Sequence, residues 1–238
     1  MTHRSNLEML SQIAVRLGPM RERVVFLGGA TVGLFITDPA APSIRVTNDV
    51  DVVIEVGSTL AYLGQLRDEL RALGFSEDST PDAPICRWVA DGILLDVMPT
   101  NAEILGFSNR WYPLAMSTAT RHQLSKNLSI RLVTPPCFVA TKLEAFRGRG
   151  RGDYAASHDL EDLIAVVDGR EVLSAEVATT DRELRQYVAA TIADLLNVSA
   201  FLDALPGHVP PDAGSQDRVS LILNRLRRLA DVSAAGGA

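Results

Sequence analysis

Residues 47–56 read TNDVDVVIEV. Asp49 and Asp51 stand inside a β-branched apolar run, Val50, Val52, Val53 and Ile54, whose composition is that of a buried strand. Side chains two apart on a strand share a face. The two carboxylates therefore project side by side from one face. Like charges that close repel, and burying them costs on the order of several kcal/mol unless a cation or hydrogen-bond donors compensate. The run thus predicts a strand and asks for a positive partner.

A third carboxylate sits in a second apolar run, GILLDVMP at 92–99, where Asp96 occupies the middle. Asp91-Gly92 separates this run from ICRWVA at 85–90, a pairing that predicts a hairpin. A strand–helix–hairpin path joins Asp51 to Asp96 and is long enough to lay the Asp96 strand beside the acidic one. Asp49, Asp51 and Asp96 would then converge at one edge of a sheet. An all-oxygen ligand set without His or Cys favours Mg²⁺ or Mn²⁺ as the compensating cofactor. Upstream, Val24–Leu27 reads as a short strand, Gly28-Gly29 as a turn and Ala30–Ile36 as a helix. Two glycines at a helix start expose backbone N–H groups at the positive end of a helix, a place for phosphate. A phosphate cradle beside carboxylate-bound metal is the equipment of phosphoryl or nucleotidyl transfer.

Around this core the pattern divides in two. Leu7, Leu10, Ile13, Ala14 and Leu17 predict an amphipathic helix over 5–17, ended by Gly18-Pro19, and 37–46 is a Pro-rich loop. Ser58-Thr59 caps a helix whose stripe is Leu60, Leu63, Leu66, Leu70 and Leu73. SEDSTPDAP, 76–84, reads as a polar loop, and 119–134 as two more strands. Beyond Pro135-Pro136 the stretches 137–147, 157–168 and roughly 171–235 are helical in pattern, broken at GRGRGD and PGHVPPDAG, and DVSAAGGA is a fraying tail. The expected organisation is an α/β (α+β) domain over 1–134 and a helical domain over 135–238. Arg147, Arg149 and Arg151 flank the glycines of the first break, where guanidinium groups suit phosphate or an RNA end. Arg121, His122, Lys126 and Arg131 form a second basic edge. The net charge of −6 argues against nonspecific duplex binding, which needs a broad basic surface, and leaves room for an RNA end held by a local patch. The polar start MTHRSNLEMLSQ predicts no signal peptide, and no apolar run is long enough for a bilayer. Cys86 and Cys137, far apart and without metal-ligand spacing, read as free thiols of a cytoplasmic protein with no membrane partner.

GG before a helix, then DhDh and then hDh, with h apolar, resembles the polymerase-beta-like nucleotidyltransferase superfamily. The later stretch VATKLEAFRGRGRGDYAASHDLEDL, 139–163, is similar to the two further motifs of the AbiEii-type toxin nucleotidyltransferases, including the mycobacterial MenT enzymes. The resemblance covers about residues 23–170. It implies the polymerase-beta-like nucleotidyltransferase fold, with a small mixed sheet followed by a helical C-terminal domain that completes the active-site cleft. It implies Mg²⁺-dependent transfer of NMP from an NTP to an acceptor hydroxyl. Asp49, Asp51 and Asp96 would be catalytic and hold the metal, and Gly28, Gly29, Lys142 and Arg147 would bind the nucleotide. Lys142 and Asp159 would join the catalytic set and Asp162 the nucleotide-binding one, with Asp159 or Asp162, Asp159 preferred, orienting Lys142 or a basic partner. The implied acceptor is the 3′ end of tRNA, and the implied role a toxin with a cognate antitoxin. One departure is visible. The gap from Gly29 to Asp49 is longer than usual for the superfamily, and the Pro-rich loop accounts for it as an insertion. Rival readings are a nucleotidyltransferase that modifies a protein or a small molecule such as an aminoglycoside, and a non-enzymatic nucleotide-binding protein.

Overall fold

The computed structural model describes residues 4–150 and 152–232. Arg151 and the tail from 233 onward lie outside the described residues. The chain divides into two compact units, residues 1–33 with 45–134, and residues 34–44 with 135–238.

The first unit is built on a mixed seven-stranded sheet. Helix α1 (Asn6–Leu17) starts at a capping box, Ser5 Oγ accepting from Glu8 N and Glu8 accepting from Ser5 N, and buries Leu10, Ile13 and Leu17. Strand β1 (Val24–Leu27) and strand β2 (Asp49–Ile54) pair antiparallel. A π-helical turn, Ala61–Leu66, leads into α2 (Arg67–Ala72). The wide turn rotates the buried face, so that Tyr62, Leu66 and Leu70 are buried while Leu60 and Leu63 of the expected stripe are exposed. Tyr62 is held there by donating to Val97 O at 2.6 Å.

The polar stretch 76–84 opens with a short strand, β3 (Ser76–Glu77), where only loop was expected. The hairpin of β4 (Arg87–Ala90) and β5 (Ile93–Pro99) closes at Asp91 and Gly92, with φ of 51° and 74°. Both central residues have positive φ, the condition of a type I′ turn, and Asp-Gly meets it at low cost. Helices α3 (Ala102–Leu105) and α4 (Tyr112–Thr118) precede the last hairpin, β6 (Thr120–Ser125) and β7 (Leu128–Leu132). The strand order is β3-β4-β5-β2-β1-β7-β6. β2 and β5 are neighbours, as the path from Asp51 to Asp96 allows, and they run parallel.

The second unit is helical: α5 (Pro135–Arg149), α6 (His158–Gly169), α7 (Leu173–Ala178), α8 (Arg182–Leu196), α9 (Ser199–Ala204), α10 (Ala213–Asp217) and α11 (Val219–Asp231). Ser157 caps α6 by accepting from Leu160 N. The segment 34–44 packs on the end of α6, where Thr37 N and Asp38 N both donate to Gly169 O, at 2.9 and 3.0 Å. A Cβ on Gly169 would overlap the Ile36 side chain, so this close approach needs glycine. The Pro-rich stretch read as an insertion therefore begins as the cap of a helix far along the chain. Among the described residues no single helix is long and apolar enough to cross a membrane. Both cysteines are buried free thiols.

Candidate active site

The register of the first unit collects the expected carboxylates. Asp51 pairs with Asp96 across the parallel β2–β5 ladder, and Asp96 pairs with Arg87 across the β4–β5 hairpin. On the other side Asp51 pairs with Leu27. Residues paired directly across strands share a face. Arg87, Asp96, Asp51 and Leu27 thus form one row over four strands, with Asp49 two positions along β2 on the same face. The opposite face is apolar, with Val50, Val52, Leu95 and Val97 all at 0–1% exposure. Burial of that face is why β2 and β5 hold this register, since a slip of one residue would drive three carboxylates into the core.

A positive partner of Asp96 and Asp49 is Arg87. Its Nε donates to Asp96 Oδ1 at 2.8 Å and its Nη2 to Asp96 Oδ2 at 2.7 Å, and Nη2 also reaches Asp49 Oδ2 at 3.4 Å. The sequence reading missed Arg87. The signal was present: counting outward from Asp91-Gly92, the fourth pair of a two-residue hairpin is Arg87 opposite Asp96. Next to it, burial pushes the Cys86 thiol up to about 12, with the Asp96 charge adding to the effect, so this cysteine stays protonated.

Gly28 lies under the acidic strand with φ of 78°. A Cβ there would come within 2.8 Å of Asp51 Cβ and overlap its carboxylate. The helix expected over 30–36 is absent and its place is taken by a 3₁₀ helix of six residues, Gly29–Leu34. Thr31, Val32 and Gly33 are poor helix formers, and one short turn carries little of a helix macrodipole. Gly28 O is taken by Thr31, whose N and Oγ1 donate at 3.1 and 2.8 Å.

The donor set on this face consists of carboxylate oxygens, the chemistry that a hard divalent cation such as Mg²⁺ or Mn²⁺ takes. Asp49 and Asp51 are the residues that would hold it, with Asp96 joining once released from Arg87. Among the described residues, no three acidic, His or Cys side chains are gathered tightly enough to ligate one ion. A cleft of about 1100 Å³ in the same unit is lined by Arg4, Glu8 and Gln12 with Thr47, Asn48 and Leu94, and Asp49, Asp51 and Asp96 are not among its lining residues.

The residues expected from the later motif are in the second unit. Lys142 of α5 is 8% exposed and donates to Asp162 Oδ2 at 2.6 Å and to Asp159 Oδ1 at 3.2 Å, both on α6. Arg149 donates to both oxygens of Asp159, at 2.9 and 2.8 Å, yet its side chain is 74% exposed. Burial alone would raise the Asp159 carboxyl. The Arg149 hydrogen bonds, the Lys142 and Arg149 charges and the Lys142 hydrogen bond outweigh it and hold the group below its ordinary value. So Lys142 is not a solvated lysine on an amphipathic helix, because α5 is buried continuously from Pro136 to Leu143. Arg147 lies over the Tyr187 ring, 5.9 Å from its centroid, and reaches Thr191 Oγ1 at 3.5 Å. Of the second basic edge, Arg121 is paired with Glu22 at 2.7 Å and Arg131 donates to Met116 O at 2.7 Å.

No family model matches the chain, and no curated protein matches it in sequence. Solved structures do resemble it. An antigenic nucleotidyltransferase-like protein from Paracoccidioides brasiliensis is 22% identical over 84% of this chain and 93% of that one, with a TM-score of 0.46. The protein JHP933 from Helicobacter pylori is 12% identical over 96% of this chain and 90% of that one, with a TM-score of 0.48. Likenesses at this level leave the activity to be argued from the site.

Proposed function

We propose that this chain is a nucleotidyltransferase that moves NMP from an NTP to an acceptor hydroxyl and releases pyrophosphate. The observation that carries the reading is the row of Asp96 and Asp51 with Asp49 beside it, on one face of β2 and β5 above a glycine that leaves room for the Asp51 carboxylate. Three carboxylates on one face have no use in a core and cost stability there. When bound, a divalent cation would supply the charge that neutralises a triphosphate in such a site. Asp49 and Asp51 would hold it, and Asp96, once released from Arg87, would join them and take up the proton of the acceptor hydroxyl. Backbone N–H groups after Gly28 would meet phosphate. In the helical unit, Lys142, Arg147, Asp159 and Asp162 enter through the motif resemblance, as residues that bind nucleotide or set the lysine.

The same resemblance supplies the finer reading: an acceptor at the 3′ end of tRNA, and a toxin neutralised by a cognate antitoxin. The net charge of −6 favours a second reading, with a protein hydroxyl or an aminoglycoside as acceptor. Incubation with each labelled NTP, Mg²⁺ and total cell RNA or total cell protein decides between them. Label entering RNA and lost in Asp51→Asn supports the first, and label entering protein the second. Uptake by no acceptor, with none of the four NTPs bound, would remove the transferase reading.

A further inference from the structure

Both oxygens of Asp96 accept from the Arg87 fork, and Asp96 is only 8% exposed, so little else on it remains open. The same guanidinium leans on Asp49. A bidentate arginine and a divalent cation would draw on the same carboxylate lone pairs. A cation entering the row therefore finds its deepest ligand already occupied. The Asp49 contact is the weaker arm, at 3.4 Å against 2.7 Å, which leaves the outer end of the row the easier to enter.

Building on the metal-dependent reading of this face, we propose that Arg87 is a built-in counter-ion that competes with the divalent cation for Asp96 and Asp49. Metal binding and the Arg87–Asp96 fork exclude each other. Arg87 is thus a positioning residue that sets how much free metal the site needs, and without metal it keeps the carboxylate row from repelling itself apart.

The test is calorimetric titration of the full chain with Mn²⁺ in the absence of nucleotide, for the wild type, Arg87→Met and Arg87→Lys, with circular dichroism to verify folding. Removing the competitor should tighten Mn²⁺ binding at least tenfold in Arg87→Met. Arg87→Lys should fall between, because lysine keeps the charge and loses the fork. Saturating Mn²⁺ should also raise the melting temperature of Arg87→Met more than that of the wild type. Binding in folded Arg87→Met that is equal to or weaker than wild type would overturn the proposal. Arg87 would then stay on Asp96 while Asp49 and Asp51 hold the ion, and the transferase reading would stand. Arg87→Lys serves the same comparison if the methionine variant does not fold. Absence of Mn²⁺ binding in the wild type and both variants at millimolar metal would overturn this proposal and the metal-dependent reading together.

Discussion

Gly28 and Asp51 are coupled through space rather than through chemistry. The positive φ of Gly28 favours glycine, and the volume a Cβ would need is filled by the Asp51 carboxylate. Gly28→Ala should therefore act twice. The strained backbone should cost about 1–3 kcal/mol, and displacement of Asp51 should lower the transfer rate at least tenfold. Denaturant melts and steady-state rates separate the two effects, and a variant with wild-type rate would return Gly28 to an ordinary turn. Asp51→Asn keeps the shape over Gly28 and removes the charge. It should abolish transfer, because the charge that would hold the cation is gone. Steady-state rates check this, and wild-type activity in that variant would remove Asp51 from the site.

Helices α5 and α6 are joined by a buried network, Lys142 on Asp159 and Asp162, with Arg149 closing it from outside. In such a network the loss of one partner matters more than the worth of the pair, because the remaining charge is stranded. Lys142→Met should cost about 3–5 kcal/mol in urea unfolding, where a solvated helical lysine would cost nearly nothing. The network also has an acid limb. The carboxyl of Asp159 is held below its ordinary value of 3.8 when folded. Its contribution is complete above that value and is lost as the pH falls through the lower folded one. Acid unfolding of the wild type should accordingly steepen below about pH 4, the ordinary carboxylate range, and Asp159→Asn should flatten that limb. A variant with the same acid profile as wild type would remove Asp159 from the account.

At the scale of the whole molecule, the chain returns on itself within the second unit. Asp38, from the segment before β2, binds Arg218 at the start of α11 at 2.7 Å, and Arg218 Nε binds both oxygens of Asp168 at 2.9 Å. Arg225 donates to the carbonyl of Asp168 as well. The Asp168 side chain is 3% exposed, so Arg218→Ala strands a buried carboxylate and unties residues 37–46 at once. Limited proteolysis should then cut within 37–46 at enzyme levels that leave the wild type intact. Equal resistance would mean that the cap of Thr37 and Asp38 on Gly169 holds the segment without Arg218.

Local pattern was enough for the strands that carry the carboxylates. TNDVDVVIEV and GILLDVMP declare buried strands with acids on one face, Asp91-Gly92 declares the hairpin, and the long path between them allows the two acidic strands to be neighbours, all of which the sheet contains. These features depend on period and on turn chemistry, which act over a few residues. The sequence by itself thus determined a mixed α/β unit followed by helices, and the side-by-side carboxylates. Only the tertiary structure decided what each charge faces. Asp49 meets Arg87 because the β2–β5 ladder adjoins the β4–β5 hairpin in register. Lys142 is buried because α6 covers α5 with two aspartates. Tyr62 replaces Leu63 in the core because a π-turn shifts the helix face, and Gly29–Leu34 form a short 3₁₀ helix where a helix over 30–36 was expected. The energy of a charge depends on its neighbours in space, and those neighbours come from distant parts of the chain.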